Sequence, residues 1–241
     1  MASTVSGQPA RPPGQLDPQD AYGEFRYPIL VLAVTTSTAG FLDSFAFLRY
    51  GSFVANQSGN VLFIGVGAAG RQPAWPAALA SLVAFGIGAG LVTRLRAAGT
   101  VRTSAARGLA AAVVATAAWS AVNVLLEYGR SGPQSRAALA ALGGLAMGSL
   151  ATLFVRTAGV ATTITYQSGT VAKTGERIVG WIAGPGNSRS QARKGSLLGL
   201  LTLAAYAVGG ALGTLAQQRP LWVPVWATLV LAAVALALRR R

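Results

Sequence analysis

The chain has 241 residues, of which 52% are apolar and only 11% are charged, and its mean hydropathy is +0.49. Because about a quarter of the residues of a typical soluble domain are charged, this composition excludes an ordinary soluble enzyme and indicates a protein of the lipid bilayer. Cys and His are both absent, which excludes disulfides, thiolate nucleophiles, Cys or His zinc sites, haem ligation and histidine acid–base catalysis.

The net charge is +14, from 20 basic and 6 acidic residues. In a soluble protein such a balance indicates nucleic-acid binding. In a membrane protein the basic residues collect in the cytoplasmic loops instead. We therefore expect the bilayer as a partner and no nucleic acid. The Ala- and Arg-rich, Lys-poor composition is typical of a GC-rich bacterial genome, so we expect a multi-pass protein of the bacterial plasma membrane.

Residues 1–27 hold four of the eleven prolines and few aliphatic side chains. Such a segment cannot bury a core, so we predict a disordered N-terminal tail. It lacks the basic start and apolar stretch of a secretory signal peptide. The first apolar segment, from Pro28 onward, is therefore predicted to be a retained membrane span.

Six apolar segments are long enough to cross about 30 Å of hydrocarbon as helices. They are approximately residues 28–48, 75–92, 109–126, 137–155, 196–215 and 221–238. We predict one membrane domain over residues 28–238, with a first half at 28–127, a second half at 136–238 and a basic cytoplasmic end at 239–241.

Two further segments are apolar but carry polar groups. Residues 51–70 include several amide and hydroxyl side chains, and residues 161–183 include Lys173, Glu176 and Arg177. A charge at the bilayer centre costs about 2.5–3.5 kcal/mol even on the most lenient scale. The second segment is therefore not expected to cross.

The distribution of basic residues predicts the orientation. Six spans with both termini in the cytoplasm place 15 basic residues inside and 5 outside, whereas eight spans would place the majority outside. Seven spans with an external N-terminus give 14 inside and 6 outside. By the positive-inside rule eight spans are rejected, while six and seven stay open.

An internal repeat favours six spans over seven. Gln-Ser-Gly-Asn-Val at residues 57–61 recurs as Gln-Ser-Gly-Thr-Val at 167–171, and a glycine-rich span follows each copy. The Arg-rich loops make these two spans run in opposite directions, which is typical of an inverted-topology repeat. We therefore predict an all-α polytopic membrane protein. Six transmembrane helices form an inverted 3+3 repeat, with two short re-entrant or interfacial polar, glycine-containing segments.

The polar segments are the candidate functional site. Non-helical backbone survives at membrane depth only where protein or water satisfies it, and Gly59 and Gly169 permit a positive φ or a close approach. Short helices over residues 61–69 and 171–183 would point their N-termini at the polar groups. Either two re-entrant half-helices meet at a solute or ion site, or Ser and Asn merely cap two interfacial helices.

Asp43 is the one acidic residue well inside an apolar segment. An ionisable residue inside a membrane span costs free energy, so its presence there indicates a functional role. Asp43 could bind a cation, titrate in proton coupling, or hydrogen-bond the polar segment that follows; alternatively it pairs with Arg49. The candidate solute- or ion-binding residues are Asp43, Asn56, Gln57, Ser58, Gly59, Asn60, Gln167, Ser168, Gly169 and Thr170.

Three Gly-x-x-x-Gly patterns, at residues 86–90, 144–148 and 209–213, allow helices to approach closely. We expect them mainly in internal packing, although an oligomer through these faces is possible. The chain contains no Gly-x-Ser-x-Gly elbow, no phosphate-binding glycine loop and no paired carboxylates on one helix. We expect no enzymatic activity, no cofactor and no metal.

Several motifs together resemble the YoaK family of bacterial integral membrane proteins, a domain of unknown function, over about residues 28–238. They are Gly40-x-x-Asp43-Ser44, Gly51-x-Phe53-x-Ala55-Asn56-Gln57-Ser58-Gly59-Asn60, and Thr162-Thr163 followed by Ser168-Gly169-Thr170. The resemblance implies a multi-span membrane protein and suggests transport. Two functions follow as hypotheses. One is a transporter or channel for a small polar solute or ion, and the other is a non-transporting scaffold or regulator that acts through protein partners.

Overall fold

The computed structural model describes residues 25–97, 104–126, 132–152, 156–157, 160–161, 164–165 and 167–238. Nearly all of this part of the chain is α-helical. The helices are α1 (Pro28–Tyr50), α2 (Gln57–Ala68), α3 (Trp75–Ala97), α4 (Ser104–Leu125), α5 (Pro133–Ala151), α6 (Gln167–Ala183), α7 (Gly186–Leu215) and α8 (Val223–Leu236). Two short 3₁₀ turns join α7 to α8, and Arg156–Thr157 pairs antiparallel with Val160–Ala161.

Four helical stretches are long and apolar enough to cross a membrane: Pro28–Tyr50, Trp75–Leu95, Ala106–Leu125 and Ser188–Gln218. They coincide with four of the six predicted spans and indicate a membrane protein. Helices α5 and α8 occupy the other two positions, with 19 and 14 residues respectively. Residues 153–155 of the predicted fourth span, residues 1–24 of the predicted tail and the basic end at 239–241 lie outside the described residues.

The last three residues assigned to the tail belong to the folded part of the chain. Phe25 is fully buried and forms an antiparallel bridge with Leu238, and the Arg26 N–H donates to the Ala237 carbonyl at 2.8 Å. The Phe25 ring has a large apolar surface, and burying that surface is favourable. The average composition of residues 1–27 did not reveal this single side chain. The start of α1 and the end of α8 are therefore adjacent.

Two pairs of parallel helices form the centre of the fold. In the first, Gly209 and Gly213 of α7 lie against the carbonyls of Ser37 and Phe41 of α1. Since both residue numbers increase together along the contact, α1 and α7 run in the same direction. A Cβ at either glycine would overlap the α1 backbone, so glycine is required by this approach.

The second pair, α3 and α5, has the same construction. Gly144 and Gly148 of α5 lie against the carbonyls of Ser81 and Phe85 of α3, so these helices are also parallel. Two of the three Gly-x-x-x-Gly patterns are thus in internal packing. The third is not, because nothing in the described part of the chain lies within 4 Å of a Cβ built on Gly86 or Gly90.

The apolar core lies where α1 meets α4, α5 and α8. Its centre is aromatic: the Phe45 and Tyr50 rings of α1 lie 6.2 and 6.4 Å from the ring of Trp119 on α4. The Trp119 side chain is fully buried. Trp119 and Val54, which is in the loop after α1, both lie against Gly143 of α5.

Candidate functional site

The chain reverses direction immediately after α1. Gly51 adopts the left-handed conformation with φ +72°, and its N–H donates to the Phe47 carbonyl, which ends the helix. A positive φ favours glycine because a Cβ is disfavoured there. The polar loop, residues 52–56, then leads back along the bundle to α2.

Of the two possibilities considered for Gly59 and Gly169, a positive φ occurs at neither residue. Both residues lie inside helices, because α2 and α6 begin at Gln57 and Gln167, earlier than the sequence indicated. Among the described glycines, Gly51 and Gly70 have a positive φ. Gly59 is needed for space instead, since a Cβ there would lie 2.6 Å from the Phe53 ring.

Asp43 holds the polar loop in place. Its Oδ1 accepts the N–H groups of Val54 at 2.7 Å and Ala55 at 2.6 Å, and its Oδ2 accepts the N–H of Asn56 at 2.9 Å. Oδ2 also accepts the hydroxyl of Tyr206 on α7. The side chain is only 2% exposed. Asp43 therefore satisfies three amides that would otherwise be buried without partners, which is the third of the roles considered for it.

The alternative partner of Asp43 is engaged elsewhere. Arg49 donates from Nε to Gln217 Oε1 at 2.7 Å, on the 3₁₀ turn after α7. Two of the hydroxyl groups that precede Asp43 in α1 bond backbone carbonyls of their own helix. Thr35 donates to the Val31 carbonyl at 2.8 Å and Thr38 donates to the carbonyl of its own preceding turn, so these two hydroxyls bond their own helix.

Asn60 fastens the same loop from its other side. Its Oδ1 accepts the Phe53 N–H at 2.9 Å, and its Nδ2 donates to the Phe53 carbonyl at 2.7 Å and to Gln57 Oε1 at 2.8 Å. Ser81 of α3 donates its hydroxyl to the same Phe53 carbonyl at 2.7 Å. Gln57 Nε2 donates to the Val54 carbonyl at 2.9 Å. The loop is thus tied to α1, α2 and α3.

These hydrogen bonds show how far the N-terminus of α2 lies from the end of α1. At about 1.5 Å per residue, the part of α1 from Asp43 to Tyr50 is about 10 Å long, and the part of α3 from Trp75 to Ser81 is about 9 Å long. The other end of α2 lies at Trp75, whose side chain a Cβ on Gly67 would overlap. Helix α2 therefore starts about 10 Å inside the end of α1 and returns to that end.

The second motif copy has the same glutamine side-chain hydrogen bond as the first. Gln167 Nε2 donates to the carbonyl of Ile164 at 3.2 Å, three residues earlier, as Gln57 does to Val54. Ile164 and Val54 are both fully buried. In each copy the Gln side chain therefore closes the turn that leads into the short helix.

Helix α6 lies antiparallel along α7. Thr174 contacts Gly199, and further along α6 Gly180 contacts Ala192. Extending this register brings Gln167, at the start of α6, to the level of Tyr206. The starts of α2 and α6 thus lie at similar depth, because Asn56, just before α2, and Tyr206, at the level of Gln167, both donate to the Asp43 carboxylate.

The two copies differ at the fourth motif position, and the difference leaves an unpaired acceptor. In the first copy Asn60 donates to Gln57 Oε1. In the second copy Thr170 takes the place of Asn60, and Gln167 Oε1 is buried with no hydrogen-bond partner among the described residues. A buried acceptor without a donor is costly, and either bound water or a ligand can supply the donor.

The structure brings six of the candidate residues together around the first loop: Asp43, Asn56, Gln57, Ser58, Gly59 and Asn60. The other four, Gln167, Ser168, Gly169 and Thr170, form the first turn of α6. Sequence reasoning missed Ser81 and Tyr206. Both are polar groups in otherwise apolar spans, which is the signal that could have found them.

The fold is that of an all-helical membrane protein in which two short helices begin inside the bundle. The chain belongs to a family of proteins of unknown function, DUF1275, which matches residues 31–238. No curated protein and no solved structure matches the chain. Of the resemblance motifs, Thr162 and Thr163 lie outside the described residues.

Proposed function

We propose that this protein is a transporter or channel for a small polar solute or ion in the bacterial plasma membrane, without enzymatic activity. Within the DUF1275 family we place it with the YoaK proteins. The proposal includes six crossings arranged as an inverted 3+3 repeat, with α2 and α6 as re-entrant helices that enter from opposite faces.

The contact between the segments just before α1 and just after α8 supports an even number of crossings. Phe25 and Leu238 pair directly, so the residues before α1 and after α8 lie on one side of the bundle. Seven crossings would separate them by the membrane thickness of about 30 Å. With α5 and α8 added to the four long apolar stretches, six crossings account for both the contact and the distribution of basic residues.

Helix directions support the inverted repeat. A Cβ on Gly51, at the end of α1, would lie 2.6 Å from Ala74, just before α3, so α1 and α3 run antiparallel. Since α7 is parallel to α1 and α5 is parallel to α3, the first helices of the two halves, α1 and α5, are opposed. The second long helices of the two halves, α3 and α7, also run in opposite directions, as an inverted repeat requires.

One observation carries the transport proposal: the starts of two short helices lie at a similar depth, which is that of the Asp43–Tyr206 hydrogen bond. Helix N-termini carry free amide donors and a partial positive charge, and they bind polar or anionic groups. Gln167 Oε1 adds a buried acceptor. A solute that both donates and accepts hydrogen bonds fits this combination. Asp43 is a positioning residue, since protein donors occupy both of its oxygens.

The test uses proteoliposomes and stopped-flow light scattering, with urea, glycerol and ammonium as probes. Wild-type protein should conduct at least one probe faster than empty vesicles. Thr170→Asn should supply the missing amide donor to Gln167 Oε1 and reduce that flux at least tenfold, while the melting temperature stays the same or rises. Thr93→Asn on α3, whose exposed hydroxyl bonds only its own helix, is the matched control and should conduct normally.

A second function, a scaffold or regulator that acts through partners, is favoured by the open Gly86–Gly90 face of α3. Lack of flux for all three probes, together with a stoichiometric protein partner that is lost on Gly86→Leu, would support it. Equal flux through wild type and Thr170→Asn would contradict the proposed site but not transport itself.

A further inference from the structure

A second candidate site lies far from the Asp43 loop, where the end of α6 packs beside the first turns of α7. An open cavity of about 590 Å³ is present there. Its lining residues are Trp181, Gly186, Arg189, Ser190, Arg193, Lys194 and Leu197. Three of these are cationic and, among the described residues that line the cavity, none is acidic. The cavity therefore has a strongly positive potential.

Local contacts hold the cationic side chains at the cavity. Arg189 Nε donates to the Gly184 carbonyl at 2.8 Å, which anchors its guanidinium. The Arg193 guanidinium lies over the Trp181 ring, 5.8 Å from the centroid. Stacking on an aromatic face orients an arginine and leaves its in-plane N–H groups available for a second partner. The α7 N-terminus at Gly186 adds its partial positive charge on the same side.

The cavity lies where the charged part of α7 gives way to its apolar part. Lys194 is the last charged residue of α7, and Leu197 at the cavity edge is half exposed. On α6, Val179 and Ile182 are 64% and 71% exposed. Exposed aliphatic side chains of this kind face acyl chains in a membrane protein, and Trp is enriched at the boundary with the headgroups.

We propose that this cavity is a binding site for the phosphate headgroup of an anionic membrane lipid. Arg189, Arg193 and Lys194 contact the phosphate, and bidentate arginine contacts suit its geometry. Trp181 and Leu197 lie against the glycerol and the first acyl carbons. The apolar border argues for a lipid over free phosphate, because a free anion gains nothing from contact with aliphatic side chains.

The test measures binding of phosphatidylglycerol to the purified full-length chain in a neutral detergent, by native mass spectrometry. Each charge removed should weaken binding about fivefold, the factor for about 1 kcal/mol per basic residue near an anionic surface. Arg193→Gln should therefore lose about fivefold, and Arg189→Gln with Arg193→Gln about 25-fold. Arg94→Gln on α3 removes a charge outside the cavity and should bind normally.

Two comparisons distinguish the source of the phosphate. Phosphatidylcholine should bind more weakly than phosphatidylglycerol, and inorganic phosphate at equal concentration should not compete. Full competition by inorganic phosphate, or unchanged binding in the double variant, would overturn the proposal. If the double variant fails to elute as a monodisperse species, Lys194→Gln alone provides the same test, with an expected loss of about fivefold.

Discussion

Replacing Asp43 is the sharpest perturbation of the site, because one side chain holds both the polar loop and α7. Asp43→Asn keeps the shape but replaces one acceptor oxygen with an amide donor. In the better orientation Oδ1 still accepts from Val54 and Ala55, whereas the new amide faces the Asn56 N–H and the Tyr206 hydroxyl. Tyr206 can rotate its hydroxyl to accept, but the Asn56 N–H cannot.

The magnitude follows from these bonds. A hydrogen bond to a carboxylate contributes about 1.5–3 kcal/mol, and an unsatisfied buried donor costs about 1–3 kcal/mol. Asp43→Asn should therefore destabilise the fold by about 2–4 kcal/mol. Asp43→Leu leaves three amides and a hydroxyl unpaired and should cost more than about 5 kcal/mol. Tyr206→Phe removes one hydrogen bond to the carboxylate and should cost about 1.5–3 kcal/mol.

The assay is thermal unfolding in detergent followed by tryptophan fluorescence, with Trp119 buried near the loop as one reporter. For a chain of this size, Asp43→Asn should lower the melting temperature by on the order of 10 °C. Glu176→Gln is the matched control, since its ion pair with Lys173 is 63% exposed and is worth less than about 1 kcal/mol. Asp43→Leu unfolding at the wild-type temperature would refute the reasoning, because it would mean that the loop amides find other partners.

Three further predictions follow from the packing and the topology. Reporters fused before Pro28 and after Arg241 should both report the cytoplasm; an external N-terminal reporter would restore the seven-span alternative. Gly148→Val should abolish a stable fold because its side chain would overlap the α3 backbone, whereas Gly86→Ala should be neutral or slightly stabilising, as judged by detergent melting temperatures. Gly59→Leu should lower the melting temperature because the Phe53 ring, 2.6 Å from a Cβ at this position, must move; an unchanged value would show that the Phe53 ring is not tightly packed.

The sequence alone determined the membrane class, the approximate positions of the helices and the pair of polar motifs. The physical reason is that these features are local. Long apolar segments, charges that forbid crossing, and a recurring Gln-Ser-Gly motif each follow from what the bilayer accepts at one place in the chain. The use of Gly144 and Gly148 in close packing was also predictable, since small residues at that spacing admit a neighbouring backbone.

The tertiary structure decided which groups meet. The long apolar helices are apolar on all sides, because one face meets lipid and another meets protein, so the pattern does not show which face turns inward. Gly88, and not Gly86 or Gly90, contacts the α5 backbone for this reason. The partnership of Asp43 with Tyr206, far apart in the chain, depends on how α1 and α7 are rotated against each other. That rotation is set by contacts between glycines of one helix and the backbone of the other. Such contacts join distant parts of the chain, so no single segment of the sequence predicts them.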